Sequence, residues 1–266
     1  MSFDWSFFNK VGWTVFERDE ALSSWVCQAK KNVRRAMDLK DLKNNQFRSN
    51  GTWFVGANFL KNDVAGKLDN VALDGEAFKA ITERYGRIFN YWDEAQVSIC
   101  YEGYPKMSQI DTEASFNYKK NRFGAHVDGI LPVGKAKRRY AKEYHSFIFG
   151  IPLVSYNEFA APLVVWEGSH HIIRTYLAKK LLKIPINLWK DEDITEVYHE
   201  ARREAFFQCK IKIIVAPVGA SYILHRLSLH GIMPWEKTGC SEDGRRMIAY
   251  FRPILNDGYF WLDKTV

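Results

Sequence analysis

The stretch Phe123-Gly124-Ala125-His126-Val127-Asp128-Gly129 decides how this chain is read. In extended backbone, side chains two apart point to the same face, so His126 and Asp128 can reach one metal ion while Val127 faces away. Much later stands Leu229-His230-Gly231. An antiparallel neighbour carrying His230 would complete two imidazoles and one carboxylate on one side of the ion. Such a facial set leaves positions open for a chelating co-substrate and O₂, the arrangement of non-heme Fe(II) sites. In a chain with seven His an isolated His-x-Asp says little by itself. The ordered set says more, because an Arg-bearing strand follows it.

That strand is Gly244-Arg245-Arg246-Met247-Ile248-Ala249-Tyr250-Phe251-Arg252-Pro253. It alternates, with Met247, Ala249 and Phe251 on one face and Ile248 and Tyr250 on the other. An Arg here can fork two hydrogen bonds onto a carboxylate. Arg245 shares its face with Met247 and Ala249 and is the first choice, followed by Arg246 and then Arg252. A solvated pair of Arg at a strand start is the plainer reading.

Four segments, between residues 96 and 253, resemble the phytanoyl-CoA dioxygenase branch of Fe(II)/2-oxoglutarate oxygenases, in that family's order. They are the His126-x-Asp128 stretch, Pro162 to His170, Gly219 to Gly231 and Gly244 to Ile248. The third is similar to the family's glycine turn, apolar strand and His-x4-His-Gly run, in which the second His is the ligand; this implies His230. The fourth is similar to its Arg-x-x-Ile strand, which implies Arg245 as the residue that holds 2-oxoglutarate. Val127, Ile232 and Met247 depart from residues frequent in relatives, and none of them removes a ligand. The resemblance implies a mainly β protein with bracing helices, a double-stranded β-helix (jelly roll, cupin-like). It also implies His126, Asp128 and His230 as metal and catalytic residues, with Fe(II) as cofactor and 2-oxoglutarate as co-substrate. The reaction implied is oxidative decarboxylation coupled to oxidation of a small organic substrate, with release of succinate and CO₂. Asp128 stands where related halogenases have a small residue, which favours hydroxylation.

Composition agrees with one enzyme of ordinary size. With 266 residues and 47% apolar content the chain can fill a sizeable core. The first ten residues lack a basic start followed by an apolar run, so no secretory leader is expected. No apolar stretch is long enough for a membrane span. Cys27, Cys100, Cys209 and Cys240 show no Cys-x-x-Cys spacing, which favours reduced thiols and a cytoplasmic setting. The net charge of +7 permits an acidic partner without naming one. No basic-aromatic alternation suggests a nucleic-acid platform.

Along the chain, helices come first and strands second. Residues 1–95 are expected as an N-terminal helical extension packed on the barrel, with helices from Asp19 to Met37 and from Asp74 to Trp92 and a short strand from Thr52 to Phe59. Residues 96–266 are expected as the oxygenase core. Its strands fall near Val97–Tyr101, Gly124–Ile130, Ser146–Val154, Pro162–Trp166, Lys210–Ala216, Ser221–His225, Leu227–Ile232 and Arg245–Arg252. A helical insertion is expected over about residues 172–207.

The remaining signals are weaker. His225 reads as a core or supporting His, and His170 and His171 as turn residues. Ser169 lacks the second Gly of a nucleophile elbow. Lys119, Lys120, Arg122 and the run from Lys135 to Lys142 flank the His-x-Asp stretch, and basic flanks at a cavity rim would draw a carboxylated or phosphorylated substrate. Two rival readings stay open: a non-catalytic jelly-roll binding protein with a structural metal, and a 2-oxoglutarate-independent enzyme of cupin type. Neither needs an Arg clamp after the last ligand.

Overall fold

The computed structural model describes residues 3–38 and 46–264. The element order is α1 Ser6–Val11, β1 Trp13–Phe16, α2 Glu20–Asp38, β2 Phe47–Arg48, β3 Trp53–Gly56, α3 Glu76–Tyr85, β4 Gln96–Tyr101 and α4 Glu113–Asn121. Then come β5 Ile130–Val133, β6 Arg138–Ala141, β7 Phe147–Pro152, β8 Leu163–Trp166, α5 Ser169–Leu181, α6 Thr195–Gln208, β9 Ile211–Ile214, β10 Ser221–His225, β11 His230–Ile232 and β12 Arg245–Phe251. No helix among the described residues is long and apolar enough to cross a membrane.

Seven strands form one antiparallel sheet in the order β1-β10-β7-β12-β4-β3-β2, and three form a second in the order β11-β8-β9. Strand alternation builds two cores from the large sheet. Ile148, Tyr222, Leu224, Ile248 and Tyr250 face Leu163, Val165 and Ile214 of the small sheet. Their neighbours Phe147, Phe149, Ile223, Met247, Ala249 and Phe251 pack against the helices. This is the expected mainly β, double-stranded β-helix architecture with bracing helices.

Helix α2 shows how the bracing works. Leu22, Trp25, Val26, Ala29 and Val33 form its buried stripe, and Trp25 meets Phe251 of β12 at 5.6 Å between ring centroids. Each fully buried side chain of this size stabilises by about 1.5–3 kcal/mol. Asp19 caps the helix as its type predicts, Oδ1 accepting from Ala21 N at 2.8 Å. Its other oxygen accepts from Glu76 N at 2.7 Å, so one carboxylate also caps α3.

Residues 1–95 do more than the helical extension expected of them. They supply β1, β2 and β3 to the large sheet, so the sheet does not respect a boundary at 95. Within the insertion, α5 starts at Ser169, and a 3-10 turn, Ile186–Asp191, separates it from α6. The strand expected over Gly124–Ile130 is not formed. His126 makes only an isolated bridge with His230, and Phe123, Gly124 and Gly129 have positive φ. Gly129 is required where it stands: at φ +80°, a Cβ would come within 2.0 Å of the Glu143 carbonyl oxygen.

Candidate metal centre and cavity

The bridge brings the three predicted ligands together without a regular strand. His126 N donates to His230 O at 2.9 Å, and His230 N to His126 O at 3.1 Å. The pairing sets the two imidazoles side by side, with ring centroids 4.6 Å apart. Asp128, two residues on, turns its Oδ1 to 3.2 Å from His126 Nε2 and 3.7 Å from His230 Nε2. Ligand atoms of all three lie within 4.8 Å of one another, close enough to hold one metal ion. Val127 faces away as predicted: it is buried, and its N–H donates to Tyr198 Oη of α6 at 3.0 Å.

The hydrogen bonds also select the tautomers. His126 Nδ1 lies 2.9 Å from Gly124 O, and His230 Nδ1 lies 2.9 Å from Ser228 O. A carbonyl can only accept, so in each neutral ring Nδ1 carries the proton and Nε2 presents a lone pair. Both lone pairs face the Asp128 carboxylate, and acceptors opposed so closely need a cation between them. A divalent ion with nitrogen and oxygen ligands fits this donor set, and the backbone carbonyls are the supporting partners such His ligands use. The electrostatics agree. Burial lowers the basicity of His126, but the hydrogen bond and charge of Asp128 outweigh it and raise its pKa. Burial and the neighbouring His126 hold His230 down to about 4. Burial opposes ionisation of Asp128, yet Arg252, His126 and His230 together keep its pKa well below the usual carboxylate value.

A cavity of about 150 Å³ opens beside the three candidate ligands, between the two sheets. Ile148, Leu163, Leu224 and Ile232 make its apolar wall, while Gln96, Ser98, Tyr250 and Arg252 supply polar groups and Trp53 a flat aromatic face. Arg252 Nη1 lies 3.4 Å from Asp128 Oδ2, and its Nη2 donates to Gln96 Oε1 at 2.8 Å.

Of the two Arg at the start of β12, the one facing inward is Arg246. It shares its strand face with Ile248, Tyr250 and Arg252, and the last two line the cavity. Arg246 is fully buried, its Nη2 donates to Tyr250 Oη at 2.9 Å, and its guanidinium lies over the Tyr156 ring at 5.5 Å. Among the described residues, its Nε and Nη1 have no hydrogen-bond partner, nor has the buried Tyr156 hydroxyl. No carboxylate among the described residues is paired with it. A buried guanidinium surrounded by tyrosines is costly unless an anion meets it, so the donors present fit a ligand carboxylate. Gly150 makes room for this cluster, since a Cβ there would fall 2.3 Å from the Tyr222 ring, and Tyr222 Oη donates to Tyr250 Oη at 2.8 Å.

Arg245 sits on the opposite face, toward α2. Its Nη1 contacts Met37 Sδ at 3.5 Å, and its Nη2 lies 3.9 Å from Asp243. The expectation that it holds a co-substrate is corrected: its company of Met247 and Ala249 marks the helix-packed side of the sheet. Three cations of the basic flanks are engaged elsewhere. Residues 130–141 form the β5–β6 hairpin. Arg138 pairs with Asp193 at 2.5 Å and Glu196 at 2.9 Å, Lys142 with Asp191 at 3.0 Å, and Lys119 with Asp111 at 2.6 Å.

No protein-family model matches the chain, and neither does any curated protein sequence. Solved structures do match. The non-heme α-ketoglutarate-dependent carbocyclase SnoK from nogalamycin biosynthesis is similar over 93% of this chain and 81% of its own, with 11% identity and a TM-score of 0.52. EctD from S. alaskensis with bound Fe covers 92% and 73% at 13% identity, with a TM-score of 0.46. HygX from Streptomyces hygroscopicus, with nickel, 2-oxoglutarate and hygromycin B bound, covers 92% and 83% at 11% identity, with a TM-score of 0.44. The likeness to SnoK extends over nearly the whole chain and places it in the double-stranded β-helix fold.

Proposed function

We propose that this chain is an Fe(II)- and 2-oxoglutarate-dependent oxygenase of the phytanoyl-CoA dioxygenase-like branch that hydroxylates a small organic substrate. The carrying observation is the conjunction of a His126-Asp128-His230 cluster with the buried, acid-free guanidinium of Arg246 behind the same cavity. A cupin-type metal protein that does not use 2-oxoglutarate gives no reason for that guanidinium.

In this reading, iron supplies the redox chemistry that couples O₂ to decarboxylation of 2-oxoglutarate and oxidation of a substrate C–H bond. His126 and His230 bind the metal through Nε2 and Asp128 through its carboxylate. The Gly124 and Ser228 carbonyls hold both rings in the binding tautomer. Arg246, with Tyr250 and Tyr156 beside it, takes the far carboxylate of 2-oxoglutarate as a charge-assisted contact. Ile148, Leu163 and Leu224 keep water from the reacting centre. The substrate side is left to Trp53, Gln96 and Arg252, and Arg252, which lines the cavity, supports a carboxylated or phosphorylated substrate.

The test is stepwise titration of chelator-treated protein with Co(II) and then 2-oxoglutarate, followed by succinate release with Fe(II) across a panel of small organic acids and phosphates. One metal per chain is expected, lost in His126→Ala and His230→Ala without loss of the native circular dichroism spectrum. Metal retention in both variants would remove the basis of the proposal.

A further inference from the structure

A second cavity, of about 450 Å³, lies on the other side of the large sheet. Strand β10 separates the two: Leu224 lines the metal-side cavity and the next residue, His225, lines this one. Three cations reach it from separate elements, Arg84 from α3, Arg174 from α5 and Lys264 from the C-terminal segment. Arg226 is buried close by, its Nε donating to Trp261 O and its Nη2 to the Phe260 and Asp263 carbonyls. Burial, together with repulsion from Arg84 and Arg174, holds Arg226 down to about 10. Among the described residues lining the cavity, the sole carboxylate is Asp263. Among the described residues no salt bridge meets Arg174; burial opposes its charge, and Asp263 favours it from further away. Among the described residues, positive charge is therefore concentrated here beyond what the lining acid offsets.

The neutral groups of the cavity add donors. His225 Nδ1 accepts from Leu227 N at 3.1 Å, so its remaining ring nitrogen, Nε2, carries the proton. Burial, together with Arg226, holds that ring neutral. His170 and His171 stand in the first turn of α5, a 13-residue helix with no acidic residue in that turn. The positive end of the helix dipole thus adds to the same field.

We propose that this cavity is a second binding site, for a small phosphorylated metabolite whose phosphoryl group is held by Arg84, Arg174, Lys264 and the N–H of His225. A phosphoryl group brings close to two negative charges and three strong acceptor oxygens, which suits donors converging from different elements. One carboxylate would leave most of the charge excess in place. The volume falls in the range of small-molecule sites, about 300–1,000 Å³, so the phosphate has room to carry an organic body.

The experiment is calorimetry on the full, metal-free chain with four probes: inorganic phosphate, glucose 6-phosphate, glucose and citrate. Glucose 6-phosphate should bind saturably at one site and inorganic phosphate should compete with it, while glucose should not bind and citrate should not displace it. Arg174→Gln combined with Lys264→Gln should weaken binding at least about tenfold, the loss expected of charge-assisted contacts. Arg35→Gln, which removes an exposed cation from the cluster on α2, should change it less than about twofold. Because Lys264 is exposed and Arg174 is only half-buried, the double variant should keep the parent melting temperature. The proposal is overturned by no saturation with glucose 6-phosphate up to about 10 mM, by binding of inorganic phosphate alone, by citrate displacing the ester, or by Arg35→Gln acting as strongly as the double variant.

Discussion

At the scale of single residues, the site depends on which of two adjacent arginines looks inward. Replacing Arg246 with Met keeps the volume and removes the charge. We expect 2-oxoglutarate affinity of the Co(II)-loaded protein to fall about tenfold to a hundredfold, as the loss of a charge-assisted contact worth about 1.5–3 kcal/mol implies. Arg245→Gln should leave it within about twofold, because that side chain meets Met37 and Asp243 instead. Calorimetric titration of both variants decides between the two faces. The His126-Asp128-His230 cluster was legible in the sequence because spacing and chemistry agree: His-x-Asp needs only local side-by-side geometry, and an imidazole pair with a carboxylate has few other uses. The Arg was legible only as a pair. Both faces of β12 are apolar and buried, so alternation separates the faces without saying which one meets the helices. The orphaned Nε and Nη1 of Arg246 are what distinguish them.

At the scale of elements, the β5–β6 hairpin is held by acids from another part of the chain. Asp193 accepts from Thr195 N at 2.9 Å at the start of α6, and from Arg138 Nε of β6 at 2.5 Å. The Thr195 hydroxyl and then its amide, with Arg138, pull the carboxyl down to about 2. Because the folded pKa is depressed, the contribution is present above the unfolded value near 3.8 and is lost as pH falls through about 2. Asp193→Ala should cost about 1 kcal/mol at neutral pH, a typical net loss for a side-chain hydrogen bond. The difference from the parent should shrink between about pH 4 and 2. Chemical denaturation across that range measures it, and a pH-independent difference would contradict the assignment. This hairpin was hidden in the sequence, where its basic run Lys135 to Lys142 suggests a free rim. Only the fold brings Asp191, Asp193 and Glu196 opposite it. The strand expected at Gly124–Ile130 failed for a local reason, three positive-φ residues that break extended pairing.

At the scale of the whole molecule, the N-terminal residues complete the sheet. Strand β1 pairs along β10 from Trp13↔Leu224 to Phe16↔Ser221. It also anchors an aromatic cluster in which Trp5 meets Phe8 and Tyr85. A chain beginning at Asp19 should expose the edge of β10 together with this apolar patch, and aggregate or melt without cooperativity. Size-exclusion chromatography and circular dichroism would show it, and a soluble, cooperative truncation would make β1 dispensable. The helices α2 and α3 were legible from their apolar stripes. The strand Trp-Thr-Val-Phe was not, being too short for its period to stand out from the aromatics around it.

The bare guanidinium of Arg246 has a consequence beyond catalysis. A charge desolvated in the interior without a counter-charge makes the ligand-free fold less stable than it need be, and a carboxylate that meets it relieves that strain in the folded state alone. On this view 2-oxoglutarate is a folding partner as well as a reactant. At a hundredfold excess over its dissociation constant it should stabilise the parent protein by about 2.7 kcal/mol, a rise of several degrees in Tm. Arg246→Met should melt no earlier than the parent when ligand-free and gain far less from the ligand. The lifetime of the chain would then follow the supply of a small metabolite, since a change of this size shifts the unfolded fraction that proteases can reach.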